Sequence, residues 1–273
     1  MTPLLYWPAS ERRGLLGVFT DIDDTLTTGG AITPDALQAL GALQAAGLQV
    51  IAITGRPIGW CEPFARNWPV DAMVAENGSS AFILRKNSLQ AMSALDKTLS
   101  KIYQQPAESR QHNLARMQAV AQRILREVPG ATLAQDSAGR ETDIAIDHSE
   151  FSHLPPERIA QVVGIMQAEG MTATVSSIHI NGWYGSHNKL EGARWIVRTL
   201  LKRELDAELS RWAYVGDSAN DQLMFKHFAQ SIGVANIRHV ADTLTHRPRY
   251  VTASERGAGF AEVAAAILQA RRP

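Results

Sequence analysis

Short apolar runs that each stop at polar or charged residues, with helical segments between them, constrain this chain more than any other feature. Leu15 to Phe19, LQVIAIT (Leu48 to Thr54) and DAMVAEN (Asp71 to Asn77) read as strands. Between the first two, Thr33-Pro34-Asp35 supplies an N-cap, a first-turn proline and an acid, opening a helix that Gly47 closes. A second helical segment starts at Pro57. The C-terminal part repeats the alternation: a helix from Lys189 to about Leu205, the strand RWAYVG, the helix DQLMFKHF, the strand SIGVA, a helix around Val240, the strand RYVTA, and a last helix ending near Arg271. Strands alternating with helices predict right-handed crossovers and a parallel sheet, an α/β architecture to which both ends of the chain contribute.

The middle differs. From about Ser80 to Gly185 the chain offers helical stretches (Ser109 to Val128, Pro156 to Glu169) and the alternating strands TDIAIDH, MTATVSS and IHINGWY. The short link near Ser176 to His179 suits a hairpin, not a parallel crossover. The expectation is a core of residues 1–80 and 187–273 with an α+β domain, 81–186, inserted into it. A chain of 273 residues, 45% hydrophobic, is long enough for both. Lys plus Arg and Asp plus Glu balance at 27 each, so no overall field favours nucleic acid or an anionic membrane, and no protein partner is implied. The single cysteine, Cys61, forms no intrachain disulfide, and MTPLLYWPASERRG lacks the apolar segment of a signal peptide. A reducing, cytoplasmic location is expected.

The chemistry gathers at the strand ends. GVFTDIDDTL crowds three carboxylates, Asp21, Asp23 and Asp24, just where a parallel strand would present a ligand site. If the chain stays extended there, Asp21 and Asp23 share one side and Asp24 takes the other. Two like charges on one side call for a cation, and magnesium suits few carboxylates, several waters and a phosphate. Taken alone, DIDD also suits a solvated turn or cap. A calcium loop fits less well, because Leu26 and Ile32 stand where glycine and glutamate would be needed. The second strand ends in Thr54-Gly55-Arg56, a hydroxyl and a guanidinium able to receive an anion. RWAYV ends in GDSAND, which adds Asp217, Asn220 and Asp221, and Lys189 opens a helix just upstream. Each piece alone is an ordinary turn, cap or surface charge; together they fall at strand ends or helix starts of one sheet.

DIDDTL, AITGR, Lys189 and GDSAND resemble the four motifs of the haloacid dehalogenase superfamily of phosphohydrolases, and the motifs bracket the chain from Asp21 to Asp221. The long insertion resembles the α/β cap of subfamily IIB, the Cof-type branch that includes sucrose-phosphate phosphatases. The residues before the lysine, Ser186-His187-Asn188, depart from the small residue many relatives have there. The resemblance implies a Rossmann-like parallel-sheet core with an inserted α+β cap, and Mg2+ as cofactor. It implies Asp21 as nucleophile, forming an aspartyl-phosphate, and Asp23 as general acid and base, with its carbonyl reaching the metal. Asp21 and Asp217 would bind the metal directly and Asp221 directly or through water, while Thr54 and Lys189 would hold phosphoryl oxygens. Asp24 is left to cap or buttress the loop.

Specificity must come from elsewhere, because every phosphate monoester presents the same reacting group. In SIHINGWYG, alternation places His179, Asn181 and Trp183 on one face, suited to a sugar; equally, Trp183 fills the cap core and His179 is a satisfied strand histidine. Asn77 and Gly78 touch substrate near the hinge or simply make a turn. Arg56 binds substrate or serves a core ion pair, and Asn220 joins the substrate-binding candidates. Arg140 and His148 read as surface charges in preference to anion binders, and Arg12-Arg13 and Arg271-Arg272 as solvated ends. The reading as a whole is a Mg2+-dependent phosphatase acting on a small phosphorylated metabolite, a sugar phosphate first. The alternatives are a phosphomutase and a non-catalytic metabolite-binding protein.

Overall fold

Every residue of the strand Gly17–Thr20 is buried, as a strand covered on both faces must be. Val18 packs with one apolar cluster and Phe19 with another, and the neighbouring strands follow the same alternation: Val50 and Ala52 on one side, Ile51 and Ile53 on the other. The computed structural model describes residues 1–86 and 97–271. Their largest sheet runs in the order Thr2–Pro3, Tyr250–Val251, Gln230–Gly233, Trp212–Gly216, Gly17–Thr20, Gln49–Ile53, Ala72–Ala75, Ser80–Lys86, Lys97–Tyr103. The strands are parallel as far as Ala72–Ala75, and the last two are antiparallel. Helices Pro34–Ala45, Ile58–Asn67 and Arg256–Arg271 cover one face through Leu40, Leu43, Ile58, Phe260 and Val263. Lys189–Leu201 and Gln222–His227 cover the other through Leu190, Ile196, Met224 and Phe225.

A separate antiparallel sheet has the order Thr172–Val175, His179–Trp183, Ile144–Asp147, Thr132–Leu133. Helices Ala107–Glu127 and Pro156–Ala168 pack on one of its faces through Met117, Ile124, Val162 and Met166, which meet Ile144, Ile146 and Ile180. His179 and Asn181, out of phase with Ile180, face the large sheet and line a space shared with it. This sheet is the cap of the α/β core.

Three expectations are corrected. The boundary placed at residue 80 falls too early: Ser80–Lys86 and Lys97–Tyr103 extend the large sheet, and the cap begins at the helix Ala107–Glu127. The segment around Val240 is two 3-10 turns, Ala235–His239 and Ala241–Thr243, in place of one helix. The extended backbone stops at Thr20, so Asp21 and Asp23 do not share the face of a strand.

Candidate active site

Strand order runs away from Gly17–Thr20 in both directions, to Gln49–Ile53 on one side and Trp212–Gly216 on the other. Such a switch point opens a crevice beyond the carboxyl ends of the strands. Asp21 sits at its mouth, fixed by its amide, which donates to the Val215 carbonyl at 2.9 Å. The chain then turns: the amides of Thr25, Leu26 and Thr27 all donate to the Ile22 carbonyl. Asp24 adopts φ 53°, and its carboxylate receives the Arg256 guanidinium at 2.9 Å. The surplus acid of the motif is thereby a buttress, tying the Asp21 loop to the start of the last helix.

Asp21, Asp217 and Asp221 come from the ends of two adjacent strands, and each places a carboxylate oxygen within 4.8 Å of the others. Lys189 reaches between them, its ammonium 2.8 Å from Asp21 Oδ1 and 2.6 Å from Asp221 Oδ1. Burial pushes the Asp21 carboxyl up to about 7, against the opposing pull of Lys189. Burial likewise raises Asp217 well above the ordinary range, with Asp21 and Asp221 adding to the rise. The oxygens of Asp221 are already taken. The amides of Asp217 and Ser218 donate to Oδ2 at 2.9 and 3.1 Å, while Lys189 and the Tyr214 hydroxyl donate to Oδ1. Asp217 is held loosely, by Thr25 at 3.4 Å and Asn236 at 3.2 Å. One lysine for three buried carboxylates leaves a charge deficit, and an all-oxygen donor set fits a hard divalent cation. Asp21 and Asp217 have lone pairs to spare for it.

Asp23 lies outside this acid group and is turned towards Arg56. The guanidinium binds it in a two-pronged fashion at 2.9 to 3.1 Å, and also reaches Asp136 at 3.1 Å and Glu150 at 2.7 Å on the cap. Glu150 in turn pairs with His179 at 2.8 Å. Burial would raise the Glu150 carboxyl, but His179 and Arg56 hold it down at about 2. A second contact set is built on Glu76. Its carboxylate accepts the amides of Ile58, Glu141, Thr142 and Asp143 together with the Thr142 hydroxyl. The Gly55 carbonyl, beside Thr54, receives Arg140 at 3.0 Å and Asn181 at 3.3 Å. Core and cap therefore meet through buried, charge-assisted bonds. The space enclosed by Asp21, Asp23, Thr54, Arg56, His179 and Asn181 is about 10 Å³, the threshold for one water.

Residues 18–122 match the family model described as haloacid dehalogenase-like hydrolase. Over those residues the chain is similar to haloacid dehalogenase-like hydrolases. Solved structures of this fold align over nearly its whole length. The sucrose-phosphatase of Synechocystis sp. PCC6803, solved with sucrose and phosphate, is 17% identical with a TM-score of 0.63, covering 93% of this chain and 98% of that one. The C-terminal domain of the C. albicans trehalose-6-phosphate phosphatase is 14% identical with a TM-score of 0.66, covering 98% and 99%. A Thermoplasma acidophilum protein is 16% identical with a TM-score of 0.67, covering 93% and 99%. No curated protein sequence matches the chain.

The structure gathers Asp21, Thr54, Lys189, Asp217, Asn220 and Asp221 at one point, with His179 and Asn181 facing them from the cap. Three site readings change. Gly78 is a packing position: a Cβ there would lie 2.3 Å from the Asn188 carbonyl oxygen, so the glycine lets the hinge sit against the Lys189–Leu201 helix. The Asp23 side chain is bound to Arg56 and stands apart from the carboxylates of Asp21, Asp217 and Asp221. Arg140, read as a surface charge, is buried against Asp143 at 2.8 Å. Trp183 takes the second of its two expected places: it is buried, stacks on His187 and donates to the His187 carbonyl at 3.0 Å. Sequence reasoning missed Asn236, whose amide bridges Asp217 and the Asp24 carbonyl. It lies just beyond Gln230–Gly233, one more strand end of the same sheet, and inspecting that end would have found it. Among the described residues no helix is long and apolar enough to cross a membrane.

Proposed function

We propose that this chain is a Mg2+-dependent phosphatase of a small phosphorylated metabolite, a sugar phosphate first, acting through an aspartyl-phosphate. The observation that carries the proposal is the Asp21 carboxylate at the sheet's switch point, 2.8 Å from a buried lysine and beside the loosely held Asp217. Phosphoryl transfer needs mainly positioning and neutralised charge, which these groups supply. Fold neighbours that act on sucrose phosphate and trehalose 6-phosphate support the sugar reading by analogy of fold.

Asp21 and Asp217, with the Asp23 carbonyl, would hold the ion, and Asp221 would act on it from behind. A bound Mg2+ would neutralise phosphoryl oxygens and orient the ester. Asp21 attacks phosphorus, the bond to the ester oxygen breaks, and Asp23 gives that oxygen its proton, releasing the alcohol. Asp23 then takes a proton from water, whose oxygen attacks phosphorus; phosphate leaves and Asp21 is regenerated. Lys189 and Thr54 hold the non-bridging oxygens. Arg56 must loosen its grip for Asp23 to donate, and a 10 Å³ space admits no sugar. Residues 107–185 accordingly act as a mobile cap that opens for substrate and closes for chemistry. The sole cysteine, Cys61, is buried and free, in keeping with a reducing cytoplasm. Acid quenching during turnover tests the proposal: labelled phosphate should be recovered on the peptide bearing Asp21. Turnover with no label on that peptide, or with the label on another residue, would contradict it, and recovery of an isomerised phosphate ester would favour a mutase.

A further inference from the structure

A cavity of about 420 Å³ opens beside the enclosed space, between the cap strands, the helix Gln222–His227 and the loop at Thr245 and His246. Asn220 contributes to the walls of both. Lys189 lines this cavity as well. Its composition contrasts with that of the catalytic acids. No carboxylate lines it, while Lys189, Lys226 and His246 do. The charge of Lys189 is balanced by Asp21 and Asp221. Lys226 is exposed and makes no ion pair with a described residue.

Two polar groups of its wall lack partners. The Asn77 amide nitrogen and the Thr174 hydroxyl are both buried with no hydrogen bond among the described residues, an arrangement that is unfavourable unless a ligand supplies the bond. Asn77 is 2% exposed and held at φ 54°. Its side chain lies against Gly55, next to Thr54, so it stands between the cavity and the phosphoryl site. Leu223 and Trp183 add an apolar wall. A volume of this size accommodates a leaving group of sugar dimensions, which the enclosed space does not.

We infer that this cavity is the leaving-group subsite and that it selects phosphate monoesters carrying a second negative charge, a carboxylate or a second phosphate, on a hydroxyl-bearing backbone. Lys226 and His246 meet that charge, and Asn77 and Thr174 meet hydroxyls. The inference rests on the phosphatase reading and adds the substrate class to it.

Matched esters test it: 6-phosphogluconate against glucose 6-phosphate, and 3-phosphoglycerate against glycerol 3-phosphate, with p-nitrophenyl phosphate as a leaving group of neither kind. The wild type should favour the acid of each pair by about tenfold or more in kcat/KM, chiefly through KM. Lys226→Met should bring that ratio close to one. Lys226 is exposed, so the variant folds; His246→Gln should give a smaller loss of the same kind. Equal kcat/KM within the pairs, or a preference that survives in Lys226→Met, would overturn the inference while Mg2+-dependent release from p-nitrophenyl phosphate left the phosphatase reading standing. No release from any ester would overturn both.

Discussion

Asp221→Asn separates the two kinds of acid in the site. Asp221 accepts four hydrogen bonds, from the amides of Asp217 and Ser218 on one oxygen and from Lys189 and Tyr214 on the other. An asparagine must turn its NH2 towards one of these pairs of donors, so it forfeits at least the bonds on that side. Bonds to charged groups contribute about 1.5–3 kcal/mol each. If the single bond that positions Lys189 is what catalysis feels, kcat falls by about 10- to 150-fold. The Mg2+ concentration giving half-maximal rate should move by less than about threefold, because Asp221 has no oxygen to spare for the ion. Asp217→Asn should do the reverse and raise that concentration by about 30-fold or more, since Asp217 is held only by a 3.4 Å and a 3.2 Å contact. Steady-state rates across a Mg2+ titration, with circular dichroism to confirm folding, decide between them. Should Asp221→Asn regain the parental kcat at high Mg2+, Asp221 is a ligand and the reasoning from its four donors fails.

Two further outcomes follow from the junction between core and cap. His187 is buried with neither ring nitrogen bonded, and burial lowers it from 6.5 to about 4. The unfolded chain binds its proton first as pH falls, so this part of the stability is complete above 6.5 and is lost towards 4, by about 3 kcal/mol. His187→Phe, stacked on Trp183, should flatten the dependence of denaturation midpoints on pH over that window; parallel curves for the two proteins would contradict it. At Gly59 a Cβ would lie 2.9 Å from the Gly139 Cα across the junction, so Gly59→Val should hold the cap ajar. The expected result is a kcat lower by about tenfold or more with little change in thermal midpoint, and an unchanged kcat would contradict the cap's role.

The parts of the site written into single strand ends were legible in the sequence. Asp21, Thr54 and Asp217 each follow an apolar run whose burial on both faces fixes where it stops, and Lys189 opens the helix it was expected to open. What joins those ends was not legible, because it depends on which distant residues the fold brings together. Asp136 and Glu150 look like surface acids in a list of residues, yet both converge on Arg56. Arg140 gives no local sign of burial, and its bonds to Asp143, Asp136 and the Gly55 carbonyl make it tolerable. Ser80–Lys86 and Lys97–Tyr103 were placed in the inserted domain because the whole stretch from about Ser80 to Gly185 was read together as one α+β unit. An antiparallel edge added to a parallel sheet satisfies the same pattern.

Phosphate release by the wild type and Asp21→Asn, each with Mg2+ and with a chelator, tests the central claim most directly. The expected result is release from the panel of phosphate monoesters by the wild type with Mg2+ alone, with none from Asp21→Asn although it folds. Release by Asp21→Asn at the parental rate, or undiminished release by the wild type in chelator, would contradict the assignment of Asp21 as the nucleophile of a metal-dependent phosphatase.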